Sequence, residues 1–250
     1  MKMNKAAFAT LTACLSTATF AGTMGPIATP DPWLGVITLS GGPAWASGSG
    51  KSQTFLLQPD LQKTYTSNSD SRTLASGELF LGVQHALSPT LSGQIGVAIA
   101  GSTNAKLSGD IWEDSDPDFN NFYYNYKVNH AHIAVKGKLL GDFNQFVQPY
   151  VSGSLGVGFN RAHDFTITPR LFEEIPAPAF TDNRTTAFTY TLGIGVQKAL
   201  TTNWQAGIGY EFANWGKSQL GRAPGQTLNS GLYLGHLYTN QLQFSLSYVA

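Results

Sequence analysis

The feature that most restricts the fold of this chain is a strict alternation of apolar and polar residues, repeated in eight separate segments. In the last segment Leu242, Phe244, Leu246 and Tyr248 alternate with glutamine and serine. A period of two indicates a β-strand with one apolar face. Each segment is long enough to cross a bilayer, which takes about 9–11 residues of tilted strand. The segments cover residues 33–44, 74–87, 90–102, 124–139, 146–159, 185–200, 203–215 and 233–248.

Composition helps to decide what surrounds these strands. Charged residues make up 12% of the 250-residue chain, about half of the roughly 25% usual in soluble domains. The mean hydropathy is nevertheless only −0.10. A transmembrane β-barrel combines both properties, because its lipid-facing apolar residues alternate with polar residues that face the lumen. A helical membrane protein would need runs of about 20 apolar residues, and none occurs beyond the extreme N-terminus.

The number of segments and their connections predict an all-β fold. Eight is an even number and the smallest that closes a transmembrane barrel. Short turns near residues 88–89, 141–145 and 201–202 alternate with long polar connections. The long connections are residues 46–73, 103–123, 160–184 and 216–231. We therefore predict an eight-stranded antiparallel up-and-down transmembrane β-barrel with short periplasmic turns and four long extracellular loops; a soluble eight-stranded barrel is the alternative.

The N-terminus has the pattern of a secretory signal peptide over residues 1–21. Lys2 and Lys5 supply a positive start, and residues 6–20 form a short uncharged stretch. Small residues precede the expected cleavage point. The barrel domain is then residues 22–250, exported across the inner membrane.

The single cysteine, Cys14, lies inside this segment. Residues 11–14 resemble a lipoprotein cleavage box, which is the alternative fate of the segment. Cleavage after residue 21 leaves a chain without cysteine or disulfide, which must be stabilised by its core or by a closed sheet.

Tryptophans are placed as expected for the two interfaces of a membrane. Trp33 and Trp45 lie twelve residues apart on the same face of the first segment, which brackets an apolar band roughly 30 Å tall. Interfacial tryptophans form such girdles, and two core tryptophans of a soluble protein are the alternative. The predicted girdle comprises Trp33, Trp45, Trp204 and Trp215.

Three strand motifs carry a resemblance to a known class of proteins. They are residues 146–158, 190–197 and 204–212, joined by the alternating last strand. With them, residues 32–250 resemble the small outer-membrane β-barrel proteins of Gram-negative bacteria, including the OmpA transmembrane domain and the opacity-type porins. The resemblance implies an outer-membrane location. Such proteins typically end on an aromatic residue, whereas here the aromatic Tyr248 stands two positions before the end.

Ionisable residues on the polar faces of the strands form the candidate site. A charge inside a narrow barrel is costly unless it is paired. We therefore predict that two glutamates neutralise two lysines in the lumen, beside a pair of histidines. A metal site on the two histidines, completed by Glu78 or Glu211, is the alternative. The predicted lumen cluster comprises Glu78, His130, His132, Lys136, Lys138 and Glu211.

Other motifs fall short of the chemistry that they suggest. Residues 48–52 resemble the end of a phosphate-binding loop but lack its first glycine and a following helix. Asp114, Asp116 and Asp118 begin like a calcium loop, but Phe119 replaces the required glycine. We expect no catalytic residue, metal or cofactor.

The partners follow from the same observations. Outer-membrane lipid, lipopolysaccharide and host or environmental surfaces are the expected partners of the barrel wall and the four loops. Nucleic acid is excluded, because the formal net charge is zero and the chain has no basic block. The predicted function is structural or surface-interactive and non-enzymatic. The alternatives are a narrow porin for small solutes and a lipid A-modifying enzyme, which would need a nucleophile that the sequence does not place near the histidines.

Overall fold

The computed structural model describes residues 33–48, 52–59, 61–68, 72–143, 146–170, 176 and 178–250. The predicted signal peptide and Cys14 lie outside these residues and stay predictions. No helix among the described residues is both long and apolar enough to cross a membrane. The described residues form a short 3-10 helix at Pro117–Phe119 and the following thirteen strands: β1 Leu34–Gly48, β2 Gln53–Gln58, β3 Leu61–Tyr65, β4 Arg72–Ser88, β5 Leu91–Ser102, β6 Ala105–Glu113, β7 Asn120–Gly141, β8 Gln148–Pro169, β9 Asn183–Ala199, β10 Trp204–Asn214, β11 Ser218–Gln219, β12 Tyr233–Leu234 and β13 Leu237–Val249.

Eight of these strands close into a ring, in the order β1, β4, β5, β7, β8, β9, β10, β13 and back to β1. All neighbours in the ring are antiparallel. The last strand closes the ring against the first: Gly35 donates its N–H to the carbonyl of Ala250 at 2.7 Å, and Ala250 donates back to Gly35 at 2.9 Å. The prediction of an eight-stranded antiparallel barrel is confirmed.

The period of two places apolar side chains outside the barrel and polar ones inside. On β1, Ile37 and Leu39 are 52% and 64% exposed, whereas Thr38 and Ser40 between them are buried. Successive side chains of a strand point to opposite faces, so the same division runs around the ring. The outward-facing large residues are called the apolar belt: Ile37, Leu39, Leu79, Leu81, Ile95, Val97, Ile99, Ile133, Val135, Leu139, Val151, Leu155, Val157, Phe159, Phe188, Leu192, Ile194, Ile208, Phe244 and Leu246.

Glycines let the large ring of Tyr150, on the inner face of β8, fit into the narrow interior. Tyr150 lies against Gly195 of β9 and Gly209 of β10, where a β-carbon at either position would overlap its ring or hydroxyl. An interior of eight strands is only just wide enough for side chains. Small residues opposite a bulky one are therefore a packing requirement of this barrel.

The long connections differ from the polar loops predicted at residues 103–123 and 160–184. Strands β7 and β8 continue pairing well beyond the belt, out to Phe122 opposite Pro169. The first predicted loop contains β6, and the second contains the last ten residues of β8 and the first two of β9. Hairpin β2–β3 adds to β6 and extends the sheet by three strands. The prediction was wrong here because the extension continues the period of two but buries aromatic residues where the barrel buries polar ones.

A second apolar core fills this extension. Tyr65 is 1% exposed, and its ring centroid lies 5.5 Å from that of Phe55, 5.7 Å from that of Tyr124 and 5.2 Å from that of Phe180. Burial raises the pKa of the Tyr65 phenol above its ordinary value, so the phenol stays protonated at alkaline pH where a free tyrosine would ionise. We call the described parts of residues 52–68, 103–128, 161–182 and 215–236 the cap.

Hydrogen bonds join the connections of the cap to one another. Gln53 exchanges two hydrogen bonds with the backbone of Tyr233. The N–H of Leu56 donates to Asn229 Oδ1 at 2.9 Å, and the N–H of Gly221 donates to the carbonyl of Thr181 at 2.8 Å. The cap is therefore a packed structure over one end of the barrel.

Candidate functional site

The centre of the lumen holds one lysine between two glutamates. Lys136 comes from β7, Glu78 from β4 and Glu211 from β10, and all three side chains face inward by the strand period. The Lys136 Nζ lies 2.6 Å from Glu78 Oε1 and 2.7 Å from Glu211 Oε2. All three residues are buried. These charge-assisted contacts link β7 to β4, two positions away around the ring, and to β10, three positions away.

The second lysine has a different environment from the one predicted. Lys138 donates to Gln197 Oε1 at 2.5 Å, and its Nζ lies 3.9 Å from the centroid of the Tyr150 ring. No described carboxylate lies within ion-pair distance of Lys138. The expectation that Glu78 or Glu211 pairs directly with this lysine is wrong, because both glutamates contact Lys136. Two lysines and two glutamates still balance the charge of the lumen.

Amides and hydroxyls occupy the rest of the lumen near these charges. Gln243 donates to Glu211 Oε1 at 3.0 Å, and Gln94 donates to Gln84 Oε1 at 2.8 Å. The cavity beside the two lysines measures about 40 Å³, which is room for one or two water molecules. The side chains therefore fill most of the cross-section at this level.

The two histidines form a hydrogen-bonded chain above the charged cluster. The amide nitrogen of Asn160, on β8, lies 2.8 Å from the carbonyls of both Trp215 and Lys217. Its Oδ1 lies 2.7 Å from His130 Nδ1, and His130 Nε2 lies 2.9 Å from His132 Nδ1. The three side chains that make these contacts, those of Asn160, His130 and His132, are all buried.

The protons along this chain of hydrogen bonds can be placed by asking which atom of each pair is the donor. Both amide hydrogens of Asn160 go to carbonyls, so its oxygen must accept from a protonated His130 Nδ1. In a neutral imidazole the Nε2 of His130 is then unprotonated, and it accepts from the N–H of His132 Nδ1. This leaves His132 Nε2 as a bare acceptor, and it is a buried atom without a hydrogen-bond partner among the described residues. Among these residues no group of three or more metal-ligating side chains occurs.

The predicted girdle divides into three exposed tryptophans and one buried one. Trp33, Trp45 and Trp204 are 64%, 39% and 43% exposed. Trp215 is 1% exposed and stacks on His130, with 4.5 Å between the ring centroids. The assignment of Trp215 to the outer surface was wrong. It lies eleven residues after Trp204, and this odd spacing places it on the opposite, inner face.

The sequence reasoning missed Asn160 and Trp215 as parts of the site. Asn160 stood in a segment read as a loop, and only the continuation of β8 brings it to the histidines. The available signal for Trp215 was its odd spacing from Trp204. Together these residues join the lumen to the cap.

Comparison with solved structures identifies the fold. The outer membrane protein OprG from Pseudomonas aeruginosa matches with a TM-score of 0.50 and 14% identity, over 86% of this chain and 97% of that chain. The outer membrane protease OmpT from Escherichia coli gives 0.46 and 11%, over 89% and 98%. Neisserial surface protein A gives 0.45 and 13%, over 86% and 96%. No family model and no curated protein matches the sequence. The chain has the fold of an outer-membrane β-barrel protein.

Proposed function

We propose that this chain is an integral outer-membrane barrel with a structural or surface-interaction role and no enzymatic activity. The observation that carries the proposal is the occluded lumen, in which Lys136, Glu78 and Glu211 meet at the centre. A solute would have to break two buried ion pairs to pass. The surfaces left for interaction are the outer wall and the cap, where we expect contacts with lipopolysaccharide, with host molecules or with the environment.

The outer wall supports the membrane part of this proposal. In water, the large side chains of the apolar belt would form a contiguous exposed apolar surface. Large apolar patches of this kind mark surfaces that contact a membrane or another protein. A closed ring leaves no unpaired strand edge, as a bilayer requires. Export by a cleaved signal peptide would bring the chain to the outer membrane.

Tryptophan fluorescence tests the placement of the belt. A variant that keeps only Trp204, with the other tryptophans changed to phenylalanine, is expected to be quenched by brominated lipids in reconstituted vesicles. The matched variant that keeps only Trp215 is expected to resist them, because this side chain is enclosed inside the barrel. Equal quenching of the two variants, or none in either, would contradict the proposed membrane boundary.

Planar-bilayer recording of the refolded full chain tests the occlusion. We expect negligible conductance from protein that shows heat-modifiable migration on a denaturing gel, because a cavity of about 40 Å³ at the centre does not pass hydrated ions. The second candidate function, a narrow channel, is favoured by the polar lining of the lumen. Reproducible stepwise conductance that changes in Glu211→Gln would support the channel and overturn the structural role.

A further inference from the structure

Two arginines face each other on the outer wall of the barrel. Arg161 on β8 is the direct cross-strand partner of Arg184 on β9, and both side chains are exposed. Like charges in this position repel each other. An anion between the two guanidinium groups would relieve this repulsion, and a guanidinium recognises phosphate through two parallel hydrogen bonds.

The arginine pair stands directly at the edge of the apolar belt. On β8 the outward-facing residues run Val157, Phe159 and then Arg161. On β9, Phe188 is followed outward by Thr186 and then Arg184. Two residues of strand span about 6.6 Å. The guanidinium groups therefore lie at the depth where a lipid headgroup follows its acyl chains.

Further cations extend the arginine pair along the same wall. Lys127 on β7 is the cross-strand partner of Lys106 on β6. Asp164 lies 2.9 Å from Lys127, and Asp182 lies 3.0 Å from Arg161. The patch thus has two more cations than carboxylates. These ion pairs are half-exposed, so they hold the cations weakly enough for a phosphate to compete.

Among the described residues of the other barrel strands no such patch occurs. Strands β10, β13 and β1 carry aromatic side chains near the same end of the barrel, namely Tyr210, Phe212, Tyr238 and Trp45. Phe212 and Tyr238 stack with ring centroids 5.8 Å apart. Among the described strands, cross-strand pairs of cations therefore occur only on the wall of β6 to β9, which indicates one bound partner on that side.

A depression in the wall adjoins the arginine pair. It has a volume of about 490 Å³ and is lined mostly by small outward-facing residues, with Phe159 at one side, and also by the inward-facing Ser76, Ser102 and His130. Gly77 and Gly101 form its floor as direct cross-strand partners. Asn129, which also lines it, is the cross-strand partner of Arg161. An acyl chain in this depression would leave its headgroup beside the guanidinium groups.

From this arrangement we propose that the wall of β6 to β9 is a binding site for a phosphorylated glycolipid of the lipid A type. Arg161 and Arg184 bind one phosphate, Lys127 and Lys106 enlarge the positive field, and one acyl chain fills the depression. The inference rests on the proposed outer-membrane location and names the lipid contact within it.

The test measures the binding of lipid A to the detergent-folded full chain by native mass spectrometry. The probes are bisphosphorylated lipid A and its dephosphorylated form with the same acyl chains. We expect the double variant Arg161→Gln/Arg184→Gln to bind the phosphorylated lipid about tenfold or more weakly, as for loss of charged hydrogen bonds. The control Lys198→Gln/Arg170→Gln removes the same charge far from the arginine pair, fourteen residues along β9 from Arg184 and nine residues along the chain from Arg161, and should bind like the unchanged chain.

Three outcomes would overturn the site. The double variant binds like the unchanged chain, the dephosphorylated lipid binds equally well, or inorganic phosphate alone binds as tightly as the lipid. Gly101→Leu tests the acyl chain separately, since a β-carbon there meets its nearest atom only at 3.8 Å. Unchanged binding in Gly101→Leu would exclude the depression. All variants are first checked for heat-modifiable migration, and a non-conducting barrel that fails these lipid tests would leave the structural role intact.

Discussion

Changing Lys136 to methionine is expected to lower the free energy of unfolding by about 3–5 kcal/mol, the usual cost of removing one partner from a buried ion pair. The substitution leaves Glu78 and Glu211 facing each other without the ammonium group that lies 2.6 and 2.7 Å from them. Both carboxylates are buried and come from strands that are not neighbours, since β4 and β10 lie three positions apart around the ring. Urea unfolding of the barrel in lipid vesicles, followed by tryptophan fluorescence, measures the loss.

Two further variants separate the ion pairs from a general loss of packing. The triple variant Lys136→Met/Glu78→Gln/Glu211→Gln carries no charge at these positions and should recover most of the lost stability. Lys138→Met should lose less than Lys136→Met, because Lys138 contacts a neutral glutamine and a tyrosine ring. A triple variant as unstable as Lys136→Met would show that shape, and not charge, sets the stability of this site.

The strand period made the barrel predictable from the sequence. Inward and outward faces follow from counting alternate residues, and this count placed Glu78, Lys136 and Glu211 in one lumen. It could not say which carboxylate meets which lysine. That choice depends on the stagger between strands far apart in sequence, such as β4 and β10, which a single sequence does not reveal.

The cap was hidden for a different physical reason. In residues 120–128 the inward-facing Phe122, Tyr124 and Tyr126 alternate with Tyr123 and polar residues, so both faces include aromatics. An apolar core inside the extension inverts the polar-inside rule that holds within the belt. A prediction based on the polar-inside pattern of membrane strands therefore stops at the edge of the belt, although the sheet continues beyond it.

Replacing Asn160 with leucine is expected to destabilise the junction between lumen and cap by about 3–5 kcal/mol, since each buried group left unpaired costs about 1–3 kcal/mol. The change removes the donors to the carbonyls of Trp215 and Lys217 and the acceptor for His130. Leucine has a similar volume, so the effect reports the lost hydrogen bonds. Urea unfolding measures the loss, and limited proteolysis is expected to cut residues 215–236 sooner in the variant.

The matched control lies on the neighbouring strand. Asn125 is exposed on the outer face of β7, so Asn125→Leu should change the free energy of unfolding by no more than about 0.5 kcal/mol. Equal stability of the two variants would mean that the carbonyls of Trp215 and Lys217 find other donors and that Asn160 does not hold the junction. Loss confined to Asn160→Leu, with early cleavage in residues 215–236, would show that this one amide holds the cap to the barrel. Its three contacts join β7 to the chain that directly follows β10.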